Sequence, residues 1–560
     1  MKVINPKTML HAAVAFISLL LILANTTLVR SVDVFGSPFF FAIGLLVELL
    51  LLVVFAYSLI RALQTPLRIL GSILLSAWSG ILTNPYVKRI RKTESPIYRW
   101  IAARLNPKNP YGLVLTVGVV ISFIFFIGFS RISQDVWFHE PLTKIDTRVV
   151  NLMPSIRTPL QTSFFRFVTY TAELPSVLLL VLLAGGISWW KRQRLATGLL
   201  VLALIAEEGS AFVLKHLVGR MRPAQSLSLI KEDSFSFPSG HVLRATVLFG
   251  LLTYLLFRSF RSSMLRLGII LGYLISISLV ALSRVYLGAH YPSDVLASIL
   301  FGASLLTLLI TIVEISTRYK LWGQSLKSFA NKLLAVVPVV VVVFALIATP
   351  IFISITPVTA TPTFTTLPAI NETTVKKLPL YSETLTGKTM EPINFIYVGS
   401  DRQLEQLFLS HGWYKADPST VSNTLKALSV GFQGHQYLNA PVTPSYLNAK
   451  PEDLAFQKPT DANTLRQRHH TRLWRTDFKT ADGKEIWVAT ASYDEGIEFA
   501  GPAKLPTHHI DPNIDAERSY ITTSLGLKNV SHIQVVSPQA GTNASGDTFF
   551  TDGRAVVAEL

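Results

Sequence analysis

The sequence predicts a mainly α-helical, polytopic transmembrane bundle of about nine spans, followed by a smaller extracytoplasmic α+β domain. Three observations carry this. Half of the 560 residues are hydrophobic and only 15% are charged, with a mean hydropathy of +0.42, a balance that excludes a disordered chain and a wholly soluble enzyme. Apolar runs of roughly 17 to 24 residues, long enough to cross a hydrocarbon core of about 30 Å, recur through the first 356 positions. Beyond them the pattern changes to short β-like runs alternating with helical ones.

The runs lie near 9–29, 38–60, 111–130, 174–190, 195–217, 241–257, 265–283, 293–315 and 333–356. Lys2 and Lys7 precede the first as in a signal peptide, but the run is long and Ala24-Asn25-Thr26 is a poor cleavage site, which favours an uncleaved anchor. Basic loops orient the bundle. Lys88, Arg89, Arg91 and Lys92, then Lys191, Arg192 and Arg194, then Arg258 and Arg261, then Arg318, Lys320, Lys327 and Lys332 all fall on one side. That side is expected to be cytoplasmic, with the N-terminus, in a cell (plasma) membrane protein; the loops near 131–172, 218–240 and 284–292 and everything after the ninth run then face outside.

The formal charge of +17 belongs to this membrane portion, because the stretch from Glu391 onward holds 19 acidic against 15 basic residues. Its cations are placed to meet lipid headgroups, so the bilayer is the expected partner and nucleic acid is not. The chain has no cysteine, which excludes disulfides, thiolate metal sites and a Cys nucleophile. The expected organisation is a two-span region with a basic loop at 1–110, a six-span core at 111–316, a basic loop and ninth span at 317–356, a Thr/Pro-rich linker at 357–390, and an α+β domain at 391–560. Strand-like runs in that domain are Ile393–Val398, Thr471–Phe478 and Glu485–Ala491, and helical patterns fall at 401–411 and 512–525.

Three polar clusters interrupt the core: Lys215 with Arg222-Pro223, Pro238-Ser239-Gly240-His241, and Ser283-Arg284 with His290 and Asp294. Counting crossings places all three on one membrane face. Lys215, Arg222 and Arg284 suit a tetrahedral oxyanion, the arginines bidentately. Pro238 can open the sixth helix and leave the amides of Ser239, Gly240 and His241 at the positive end of its dipole. Two histidines can then divide the labour, one attacking phosphorus while the other protonates the leaving oxygen. Asp294, four positions after His290 in the first turn of a helix started by Pro292, fixes the tautomer of the attacker, and His241 is the general acid. No carboxylate cluster suited to Mg²⁺ is expected beside these cations, so neither metal nor cofactor is expected.

These motifs resemble those of the type 2 phosphatidic acid phosphatase superfamily, which includes bacterial acid phosphatases and vanadium haloperoxidases. The resemblance covers about 111 to 316 and implies a phosphohistidine on His290 oriented by Asp294, proton donation by His241, and phosphate binding by Lys215, Arg222, Ser239, Gly240 and Arg284. In membrane members the substrates are lipid phosphates or diphosphates, including undecaprenyl diphosphate, phosphatidate and phosphatidylglycerol phosphate. From Glu391 onward the chain looks like the LssY-like C-terminal domain, carried by Ala440-Pro441-Val442-Thr443-Pro444, Asp453 to Lys458, Arg468 to Trp474, Thr507 to Pro512 and Asp515 to Arg518; that family implies no settled activity.

Each residue also has an ordinary reading. A lone Lys215 or Arg284 would be a headgroup anchor, and only the joint spacing reverses this. Glu208, seven positions before Lys215, can orient that lysine, and Arg244, one turn after His241, can add a phosphate contact. His216 points away from Lys215 and reads as structural. His469-His470 and His508-His509 with Asp511 read as a polar core network, with a metal site as the sharper alternative. The expected function is hydrolysis of a lipid phosphate or diphosphate. Transfer of the phosphate to an acceptor, and a scaffold in which the membrane portion only anchors the C-terminal domain, are the alternatives.

Overall fold

The computed structural model describes residues 6–29, 46–59, 111–138, 141–190, 192–318, 364–500, 505–544 and 546–560, with scattered positions between 44 and 109. The helices that build the core are α1 (Leu113–Trp137), α2 (Pro141–Ile156), α3 (Pro159–Tyr170), α4 (Leu174–Trp190), α5 (Arg194–Val218), α6 (Gly240–Ser259), α7 (Ser263–Tyr286) and α8 (Pro292–Arg318).

The expectation of nine spans is corrected. Among the described residues five helices, α1, α5, α6, α7 and α8, are long and apolar enough to cross a membrane, and six if α3 and α4, bent by 47° at their break, count as one. The run at 174–190 is the 17-residue α4, which is too short alone. Among the described residues of the first two expected runs, the apolar helices are Met9–Asn25 and Leu46–Leu59, each shorter than the roughly 20 residues a span needs. The run at 333–356 lies outside the described residues. Hydropathy registers an apolar stretch whether or not the backbone keeps it in one straight helix.

Leu and Val side chains of α4, α5, α6 and α8, among them Val177, Leu200, Val247, Leu251, Leu309 and Val313, form the bundle core. Small residues bring the outer helix close: a Cβ on Gly118 of α1 would stand 2.0 Å from Thr311 Oγ1 of α8. Helix ends then place the polar clusters. Gly219 terminates α5 in the left-handed region, φ +61°, with its N–H on the Lys215 carbonyl at 2.9 Å, so Lys215 sits in the last turn. α6 begins at Gly240 with Ser239 as its N-cap, so Pro238 precedes this helix and does not open it as expected. Pro292 starts α8 and Asp294 lies in its first turn.

Between α7 and α8 the chain turns through Gly288, whose φ is +74° and whose absent Cβ would stand 2.4 Å from the Leu227 carbonyl oxygen. Both the backbone conformation and the neighbouring main chain exclude a side chain. Gly288→Ala is therefore expected to destabilise the protein by about 2–4 kcal/mol and to displace His290, read as a fall in the thermal midpoint in detergent together with loss of activity.

The C-terminal region is α+β. Its main sheet runs in the order Ser531–Gln534, Arg554–Glu559, Phe395–Val398, Glu485–Ala500, Arg468–Thr480, Leu454–Pro459, Tyr414–Lys415. Alternate side chains serve two faces: Phe395 and Tyr397 pack with Phe408, Trp413 and Trp487, while Ile396 packs with Trp474, Ile486 and Val488. The supposed linker at 357–390 is not a spacer in its described part. Thr365–Leu367 pairs in parallel with 478–480, and Tyr381–Glu383 and Thr389–Pro392 form a small sheet. Short strands flanked by Thr and Pro leave little hydrophobic periodicity to read.

This region packs on the core through α2. Leu385 and Tyr446 join Val149, Leu152 and Met153 in one buried cluster, Asn151 Nδ2 donates to the Ala449 carbonyl at 2.8 Å, and Arg148 pairs with Glu383. The paired histidines diverge: His469 Nδ1 meets Glu517 at 2.8 Å, His470 Nδ1 lies 3.4 Å from Asp494, and His509 Nδ1 meets Asp547 at 2.7 Å. Neighbouring residues on a strand point to opposite faces, and each of these three histidines has its own carboxylate.

Candidate active site

The structure brings Lys215, Arg222, His241, Arg284, His290 and Asp294 to one end of the bundle. Arg222, in the loop after α5, donates through Nη1 to the Ala289 carbonyl at 2.8 Å and lies 3.2 Å from His290 Nε2. Lys215 Nζ donates to Ser234 Oγ and the Phe235 carbonyl, both at 2.8 Å. Arg284 is wholly buried, its Nη1 donating to Thr169 Oγ1 at 2.9 Å and its Nη2 pairing with Glu232, while its Nε has no hydrogen-bond partner among the described residues. A pocket of about 390 Å³ bounded by Lys215, Met221, Arg222, Glu232 and Phe235 opens onto this cluster.

His290 is held from both sides. Its Nδ1 lies 3.5 Å from Asp294 Oδ2 and 3.4 Å from Ser236 Oγ, leaving Nε2 toward Arg222. Asp294 is itself fixed by three donors: Arg220 Nη1 at 2.6 Å, Ser236 Oγ at 2.5 Å and the Tyr291 amide at 3.0 Å. Arg220 also bonds Asp146 of α2 at 2.8 Å and lies over the Tyr291 ring at 4.1 Å. Asp146 in turn accepts from the Ser293 amide at 2.9 Å.

Burial holds the His290 imidazole well below its usual proton affinity, and the charges of Arg222, Arg284 and Lys215 push the same way. The neutral ring, the form with a nucleophilic lone pair, therefore persists on the acid side of the ordinary histidine value of about 6.5. The acid limb of kcat/KM is accordingly expected below pH ~6 and is read from a pH profile with a substrate whose own phosphate titration is measured separately.

At the start of α6, His241 Nε2 lies 2.9 Å from Oε1 of Glu173, in the turn between α3 and α4. The Ser239 amide donates to Ser298 Oγ at 2.7 Å, so it is not free for an anion as the sequence reading supposed; its buried hydroxyl has no hydrogen-bond partner among the described residues. A Cβ on Gly240 would stand 3.7 Å from the Arg244 guanidinium, an ordinary van der Waals contact. Glu208 pairs with Arg244 rather than with Lys215, and Glu207 lies 3.7 Å from the same arginine. The His216 ring lies tilted against that of Phe212, with centroids 4.3 Å apart, and its Nδ1 is 2.8 Å from the Phe212 carbonyl.

Sequence reasoning missed Asp146, Glu173, Arg220, Glu232 and Ser236. Arg220 lies inside the Lys215–Arg222 window, Ser236 two positions before Pro238, and Glu173 immediately before the apolar run at 174–190, so position alone could have raised them. Glu173, Glu232 and His241 also bring ligand atoms within 4.8 Å of one another, which corrects the expectation of no carboxylate grouping here. Arg222 and Arg284 already pair with Glu232, and the surrounding positive charge opposes a divalent cation. Asp146→Asn is expected to lower kcat about 10-fold with little change in KM, because Arg220 would lose one of its two carboxylates and hold Asp294 less firmly.

Residues 196–318 match the PAP2 superfamily, and residues 375–555 match the family described as LssY C-terminus. The chain is 30% identical over 167 residues to phosphatidylglycerophosphatase B of Bacillus subtilis, covering 30% of this chain and 81% of that one. The chain belongs to the PAP2 superfamily. The chain also shares 36% identity over 111 residues with a lipid A 1-phosphatase of Rhizobium johnstonii, 18% of this chain and 41% of that protein. Among solved structures, a transmembrane PAP2-type phosphatidylglycerolphosphate phosphatase from Bacillus subtilis aligns with a TM-score of 0.32 at 27% identity, over 35% of this chain and 96% of that one. As a PAP2 protein with an LssY-type C-terminal region, the chain is a multi-pass membrane hydrolase of the phosphatase class.

Proposed function

We propose that the PAP2 core hydrolyses the terminal phosphate of a membrane lipid phosphate or diphosphate, of the phosphatidate, phosphatidylglycerol phosphate or undecaprenyl diphosphate kind, without a metal and at the extracytoplasmic face. One observation carries the reading: His290 is oriented by Asp294 through Nδ1 and turns Nε2 toward Arg222, in a cluster with Lys215 and Arg284 whose bridging Glu232 also lies beside His241.

Phosphate oxygens engage Arg222, Arg284 and Lys215, and the Gly240 end of α6 adds the positive end of its dipole. His290 Nε2 attacks phosphorus, the bond from phosphorus to the lipid oxygen breaks, and His241 gives that oxygen its proton. Asp294 stabilises the charge that develops on the His290 ring. Water then attacks the phosphohistidine with His241 as base, releasing phosphate and restoring both rings. The lipid tail stays in the bilayer while its headgroup reaches the helix ends.

The test is an assay of the purified full-length protein in detergent against these three lipids with and without EDTA. Phosphate release unaffected by the chelator supports the reading. Activity abolished by chelation and restored by Mg²⁺ would assign catalysis to a metal, and label recovered on an organic acceptor would make the protein a transferase.

A further inference from the structure

The charge balance of the cradle is unusual for a site that must select one anion in a membrane full of others. Arg284 is wholly buried and Arg222 largely so, and both charges are compensated by a carboxylate. A single carboxylate, Glu232 on the loop before α6, spans them, with Oε1 on Arg284 Nη2 and Oε2 3.3 Å from Arg222 Nη2. It lies at the pocket mouth beside Lys215 and within ligand-atom reach of His241. Burial disfavours its ionised form, but Arg284, His241 and Arg222 outweigh this and hold it at about 2, so it is an anion at every physiological pH.

We infer that Glu232 is a specificity-determining residue, an internal monoanion that keeps phosphodiester headgroups out of the cradle and yields to a terminal phosphomonoester; this rests on the phosphatase reading above. The reasoning is one of exchange. A phosphodiester lipid offers one negative charge on two free oxygens, the same charge and the same two acceptors that the carboxylate already supplies. Replacing Glu232 by such a headgroup gains no Coulomb energy and leaves the carboxylate to be housed elsewhere beside a second anion. A phosphomonoester brings a charge near −1.5 to −2 and three free oxygens. It can engage both arginines and still reach Lys215 or the Ser239 hydroxyl, so the exchange runs in its favour. Apparent affinity for any anion is thereby reduced by the fraction of molecules in which Glu232 holds the arginines, and only a ligand with more to offer overcomes that reduction.

The experiment uses full-length protein in detergent, hydrolysing dioctanoyl phosphatidate, with dioctanoyl phosphatidylglycerol as the diester inhibitor and orthophosphate as the monoester-like one. Glu232→Gln is expected to tighten inhibition by the diester about 10-fold and inhibition by orthophosphate clearly less. Asp233→Asn removes a neighbouring charge at the same mouth without touching the arginine pair, and is expected to shift either constant by less than about 2-fold. Equal tightening for both inhibitors in Glu232→Gln, or the same gain in Asp233→Asn, would reduce the effect to general electrostatics and overturn the inference. Loss of orthophosphate inhibition in Glu232→Gln, or failure of both Glu232→Gln and Glu232→Ala to fold, would make Glu232 a brace for the arginines and overturn it too. A wild-type protein that neither releases phosphate nor responds to orthophosphate would instead refute the phosphatase reading itself.

Discussion

Replacing His290 by alanine is expected to lower kcat by at least about 10⁴-fold while leaving the protein folded and able to bind orthophosphate. The size of the effect follows from the proposed role: if His290 Nε2 takes the phosphoryl group, its removal leaves a cradle that can only bind it. The fold should survive because Asp294 is not stranded by the change. Arg220, Ser236 and the Tyr291 amide continue to satisfy its oxygens, and Ala289 and Arg284 hold the turn through the main chain. Single-turnover kinetics combined with orthophosphate binding separates the two contributions. If turnover in the His290→Ala protein stayed within about 10-fold of wild type, the nucleophile would lie elsewhere.

Arg284→Lys is expected to reduce kcat/KM by about 10²–10³-fold although the charge is retained. Arg284 enters from α7 fully buried and divides its fork between Thr169 and Glu232, with Nε unused among the described residues. A lysine reaches with one nitrogen and cannot contact two phosphate oxygens in one plane. The loss should fall on both kcat and KM if, as proposed, this arginine holds the phosphate oxygens in the ground state and more strongly as charge builds in the transition state. A change confined to KM would show that Arg284 only attracts the headgroup, and the steady-state constants of the purified variant decide this.

The parts of this protein legible in its sequence are those whose chemistry forces a spacing. Lys215 with Arg222, Gly240 with His241, and Arg284 with His290 and Asp294 lie at helix ends because the charged groups cannot sit deep in lipid, and those positions locate the site without coordinates. Strands of the C-terminal region were visible for a similar reason, since 395–398 and 485–491 alternate or run apolar between turn residues. What escaped was pairing over long separations. Glu232 meets Arg284, Glu173 meets His241, and Asp146 reaches Arg220, across 52, 68 and 74 positions. Glu232 lies in a polar loop, Asp146 in α2 and Glu173 in the turn between α3 and α4, and nothing in the local sequence of any of them names its distant partner. Span number was misread because an apolar run says nothing about where a helix bends, as α3 and α4 do at Thr171–Glu173.

The central claim is that phosphate passes through a bond to His290 Nε2, and rapid quenching during turnover of a lipid radiolabelled in its terminal phosphate tests it most directly. The label should appear on the protein in a base-stable, acid-labile form, map to the peptide containing His290, and be absent from His290→Ala. Undiminished turnover with no label on the protein, or label on a different residue, would contradict the account.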